Sequence, residues 1–109
     1  MPQQVPTVST AEVPEGAVVL DVREDAEWAA GHIAGAVHIP MGEVPQRLAE
    51  VPEGDPLYVV CKGGGRSARV VAWLGQQGRE AVNVAGGTGE WAASGRPIVS
   101  ETGQEPFVL

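Results

Sequence analysis

The feature that most constrains the fold is the alternation of wholly apolar runs with segments that read as helices. Ala17–Val22 is apolar but for Asp21, and Leu57–Cys61 (Leu-Tyr-Val-Val-Cys) is β-branched, aromatic and uncharged. Such runs suit strands covered on both faces, since a strand with one wet face alternates apolar with polar residues. Ala36–Ile39, stopped by Pro40, and Ala81–Val84 read as further strands, and Val5–Val8 as a short edge strand. Helical segments lie between them. Arg23–Gly31 has acids in its first turn and glycine at its end. Val44–Val51 carries Pro45 near its start. Ser67–Gln77 puts Ala68, Val71 and Leu74 on one face and stops at Gly78. Thr88 can cap a last helix that holds Trp91 and ends at Gly95 and Pro97. The alternation predicts a three-layer α/β domain, with a mostly parallel central sheet flanked by helices.

The length of 109 residues suits a single domain over 1–109, with a core from about 5 to 98 and a tail, 99–109, of little structure. Fifteen glycines and nine prolines favour short elements. Met1–Thr10 has neither the basic start nor the apolar segment of a signal peptide, and no apolar run is long enough to cross a bilayer. A single cysteine excludes an intramolecular disulfide and a cysteine-only metal cage. The expectation is a cytoplasmic protein with no metal, no cofactor and no membrane partner. A net charge of −7 argues against a nucleic-acid partner. Yet three of the seven basic residues, Lys62, Arg66 and Arg69, fall within eight positions just after the cysteine. A local basic spot on an acidic chain suits a small anion. Arg69 alone also reads as an ordinary solvated helix residue.

Cys61 ends the strongest strand and leads into Lys62-Gly63-Gly64-Gly65-Arg66-Ser67. In parallel sheets, sites lie beyond the carboxyl ends of strands, where this cysteine falls. Three glycines leave the backbone bare and free to curl, so their N–H groups can point inward as an anion nest. The helix that follows adds its N-terminal dipole, and Lys62 and Arg66 add two charges. A thiol so placed is acidified toward the reactive thiolate, and the same nest can hold an anionic donor or a charged sulfur on Cys61. A lone cysteine fits a group carrier better than a dithiol redox enzyme, which needs a resolving partner. An isolated cysteine at a strand end would read as a buried core thiol. The glycines and flanking cations favour a site.

This loop resembles the active-site loop of the rhodanese family, in which four residues separate the cysteine from an arginine that is followed by serine. Asp21-Val22-Arg23 with Glu27-Trp28, then Gly31-His32-Ile33-Ala34-Gly35-Ala36-Val37-His38-Ile39-Pro40, resembles that family's first signature, and Val84-Ala85-Gly86-Gly87 with Trp91 its C-terminal one. The three matches stand in the family's order and span 17–97. The resemblance implies a rhodanese-like fold and transfer of sulfane sulfur through a persulfide on Cys61. The loop Lys62, Gly63, Gly64, Gly65, Arg66 and Ser67 would bind the donor. The implied partners are a small anionic donor (thiosulfate or a persulfide) and a thiol, cyanide or sulfur-accepting protein as acceptor. Gly63 departs from the serine or threonine frequent in the family, leaving backbone amides and cations to set donor preference.

Related phosphatases and arsenate reductases carry a loop one residue longer, sized for a tetrahedral oxyanion. Non-catalytic rhodanese-like modules, the main alternative, typically lack the cysteine. His32 and His38 read as structural, as do Asp21 and Arg23, and Trp28, Trp73 and Trp91 as packing. Arg23 or Glu27 could also touch the rim of the site. Gly87-Thr88-Gly89-Glu90-Trp91-Ala92 mimics a dinucleotide fingerprint, but the 17 residues after it leave no room for the rest of such a site.

Overall fold

A computed structural model describes residues 5–109. Strands β1 (Thr7–Ser9), β2 (Val19–Asp21), β3 (His32–Ile33), β4 (Val37–His38), β5 (Leu57–Val60), β6 (Ala81–Ala85) and β7 (Ile98–Val99) are joined by helices α1 (Asp25–Ala30), α2 (Gly65–Gln76) and α3 (Gly87–Ala93). Five strands form one sheet in the order β1-β6-β5-β2-β4, and every neighbouring pair is parallel. β3 and β7 form a separate antiparallel pair.

The two faces of this sheet explain the uncharged runs. Along β2, β5 and β6, Leu20, Leu57, Val59 and Ala81 pack in one core cluster with Val70, Val71 and Leu74 of α2. Their neighbours Val19, Val60 and Val84 pack in a second cluster with Trp91 of α3, Val13 and Ile33. Alternate residues of each strand thus enter opposite cores, giving the expected three layers.

Several expectations change. The edge strand is Thr7–Ser9, not Val5–Val8. Val44–Val51 is not an α-helix: Met41–Glu43 and Leu48–Glu50 are single 3₁₀ turns. Their backbone bonds run three residues back, as from Val44 N–H to Met41 O and from Val51 N–H to Leu48 O. Pro45 has no N–H to donate, and burial of both Val44 and Val51 fixes the segment at its ends. Thr88 does not cap α3, because Gly86 takes that place with a left-handed φ of 84°. The helix therefore begins ahead of Thr88, whose hydroxyl finds no partner among the described residues. Finally, the segment after residue 97 is tied down. Beyond β7, Glu101 N–H bonds to Ala29 O and Phe107 N–H to Ala30 O, both at the end of α1. Gly31 makes this docking possible, since a Cβ there would overlap the Phe107 carbonyl oxygen.

Candidate active site

The loop after β5 is held from behind through its carbonyls. Cys61 O accepts from Thr88 N–H (2.9 Å), Lys62 O from Gly89 N–H (3.1 Å) and Gly63 O from Gly86 N–H (3.3 Å). With those carbonyls turned toward α3, the opposite side of the backbone faces the cysteine. Two glycines are required. Gly64, the residue before α2, has φ of 111°, a conformation that costs other residues about 1–2 kcal/mol. Gly87 lies so close beneath the loop that a Cβ would overlap Cys61 O and come within 2.7 Å of Lys62 O.

Cys61 is 2% exposed, and its Sγ accepts from Gly64 N–H at 3.0 Å. Ser67 Oγ lies 3.4 Å from the same sulfur. Burial pushes the thiol up. The Ser67 hydroxyl and the N–H groups of Ser67, Gly64 and Gly63 outweigh that and hold it below its ordinary value of 9.0. Desolvation would otherwise keep a core cysteine protonated. Here the donors of one curled loop and the first turn of α2 reverse that outcome.

The cations sit differently from one another. Lys62 is exposed. Arg66 forms a two-pronged pair with Glu27 of α1, Nη1 to Oε1 at 2.7 Å and Nη2 to Oε2 at 2.9 Å. Arg66 therefore joins the loop to α1, with its charge largely compensated. Its hydrogen bonds, ahead of the other influences, draw the Glu27 carboxyl from 4.5 down to about 2. Glu27 is thus one residue of the rim reading that the structure brings to the loop.

This pair predicts a pH dependence. A carboxyl depressed in the folded state adds stability that is complete above about 4.5 and is lost as pH falls toward about 2. Glu27→Gln is expected to lower urea-unfolding stability at pH 7. It is also expected to flatten the decline that the wild type shows between pH 4.5 and 2. Equal slopes in both proteins would refute the assignment.

Among the described residues, neither histidine is bonded to the sulfur. His38 Nε2 bonds to Arg23 O at 2.7 Å and His32 Nδ1 to Trp28 O at 2.9 Å, so both nitrogens act as donors to carbonyls. Trp28 stacks against both rings, with centroids 3.5 Å from His32 and 4.8 Å from His38. Asp21 and Arg23 are wholly buried and paired. They tie β2 to the end of α1, since Arg23 also donates to Gly31 O at 2.7 Å and Glu27 O at 3.3 Å. Sequence reasoning passes over Asn83, whose Oδ1 accepts from Ser67 Oγ. The signal was a lone amide inside the strand Ala-Val-Asn-Val-Ala.

Comparison with known proteins agrees with this fold. The model of the rhodanese-like domain matches residues 9–94. A sulfurtransferase of Allochromatium vinosum is 39% identical over 90 residues, which cover 82% of this chain and 84% of that protein. YrkF of Bacillus subtilis is 42% identical over 74 residues, and the match spans only 40% of its length. The crystal structure of a rhodanese-like domain protein from Staphylococcus aureus superposes with a TM-score of 0.75 at 34% identity, covering 94% of this chain and 99% of that one.

Proposed function

The chain belongs to the rhodanese-like domain family, and from that premise we propose that it is a sulfurtransferase with Cys61 as the sulfur carrier. One observation carries the reading: a buried sulfur, ringed by donors from its own loop, at the carboxyl end of a parallel strand. The Cys61 thiolate attacks the outer sulfur of an anionic donor such as thiosulfate or a persulfide. The donor's S–S bond breaks, its electron pair leaves with sulfite or a thiolate, and a persulfide forms on Cys61. The donors that favour the thiolate can also receive persulfide charge, so the resting and loaded states share one nest. A thiolate or cyanide acceptor then attacks the outer sulfur, and the electron pair returns to Cys61. No external oxidant is needed. Gly63 offers no hydroxyl to the donor, so recognition falls on backbone amides of 62–67 and on Lys62.

The test is intact-protein mass measurement after incubation with thiosulfate or glutathione persulfide. A gain of one sulfur atom, removed by cyanide or a thiol, is expected. A folded protein that gains none from either donor would instead indicate a binding module.

Lys62→Ala should raise KM for thiosulfate several-fold with a smaller change in kcat, because an exposed charge attracts the donor without touching the reacting bond. Added salt should narrow the difference, as screening length shortens. Loss of kcat at unchanged KM would place Lys62 in the chemistry instead.

A further inference from the structure

Asn83 is out of place by the rule that built the sheet. It lies two residues after Ala81 on β6, on the face that packs against α2, and pairs in register with Val59 of β5. It is 6% exposed. A buried amide on an apolar face costs about 1–3 kcal/mol unless it is bonded. Among the described residues, its side-chain bond goes to Ser67 Oγ, 2.5 Å away. That same oxygen lies 3.4 Å from Cys61 Sγ.

The Ser67 hydroxyl has one proton and two neighbours that can accept it. With a thiol at Cys61, S–H can donate to Ser67 Oγ, and Ser67 can donate to Asn83 Oδ1. With an anionic sulfur this chain fails, because the sulfur then needs the hydroxyl proton and the hydroxyl needs a donor of its own. An amide can meet both demands, since a half-turn about its terminal bond puts Nδ2 where Oδ1 was. We propose that Asn83 is a positioning residue whose amide turns over with the charge on the Cys61 sulfur, directing the Ser67 proton to that sulfur when it is anionic. In the sulfurtransferase reading, on which the inference rests for its use, the charge at this sulfur changes at each loading and unloading.

The experiment follows Cys61 alkylation by iodoacetamide against pH in the full chain. An aspartate can only accept here and adds negative charge, so Asn83→Asp should slow alkylation at neutral pH about tenfold or more and move its midpoint upward. Asn83→Leu should move the midpoint upward by less, and Asn83→Ala serves if leucine overfills the site. The decisive comparison is made on Ser67→Ala. If Asn83 acts through the hydroxyl, Asn83→Leu adds nothing in that background. An equal shift with and without Ser67 would show a packing effect and overturn the proposal, as would unmoved midpoints in both Asn83 variants. Sulfur loading of the wild type separates the two readings. Coupled midpoints without loading would sink the sulfurtransferase assignment and leave the relay standing.

Discussion

Cys61→Ser is expected to abolish sulfur transfer, leaving only the rate seen without protein, while the fold survives. A serine hydroxyl ionises far above the range in which this loop acts, and its oxygen cannot form the S–S bond that carries the cargo. The replacement is otherwise gentle. The side chain is slightly smaller, sits at the end of a packed strand, and its oxygen can still accept from Gly64 N–H. Urea unfolding should therefore move by no more than about 1–2 kcal/mol, within the usual range for point substitutions. The two measurements belong together. Lost transfer with an intact unfolding curve assigns the chemistry to the sulfur. Full transfer by the serine variant would remove Cys61 from the mechanism.

The largest effect on stability is expected from Arg23→Met. Arg23 and Asp21 are both 0% exposed. Arg23 Nε lies 3.0 and 3.1 Å from the two Asp21 oxygens, Nη2 2.8 Å from Oδ2, and the backbone N–H of Arg23 adds a bond at 3.0 Å. Methionine keeps much of the volume but strands a buried carboxylate and frees the carbonyls of Glu27 and Gly31. Removing one partner of such a pair costs about 3–5 kcal/mol. For a domain of this size that means a fall in Tm on the order of 10–40 °C, a large part of a total stability of about 5–15 kcal/mol. The companion variant Asp21→Asn with Arg23→Met should recover part of the loss, since no charge is then left uncompensated. A loss below about 1 kcal/mol for Arg23→Met alone would show that water reaches the carboxylate.

Much of the architecture is legible in the sequence because burial of both sheet faces writes itself as unbroken apolar runs. Ala17–Val22 and Leu57–Cys61 identify the central strands, and Gly63 to Gly65 locate the loop. Elements too short to show a period are not legible this way. β3 and β7 have two residues each, and they pair across more than sixty intervening positions, which no local pattern encodes. The 3₁₀ turns after Pro40 share helix-like composition, and only the missing donor at Pro45 hints at the outcome. The Glu27–Arg66 bond joins residues far apart in the chain, so no local spacing encodes it. Asn83 was visible as a polar residue in an apolar strand, but its meaning needs Ser67 beside it.

The bracing of the loop from behind has a consequence for when the cysteine becomes reactive. The amides of Gly86, Thr88 and Gly89 hold the carbonyls of Gly63, Cys61 and Lys62, and β1 pairs with β6, whose residues come much later in the chain. During synthesis, at about 5–20 residues per second, Cys61 emerges well before the segment that shapes its surroundings. Until residues 81–93 follow, the nascent chain carries an ordinary thiol with no nest around it. Maturation of the nucleophile is thus timed by translation: the loop's hold on the sulfur is complete only with the strand and helix that close behind it.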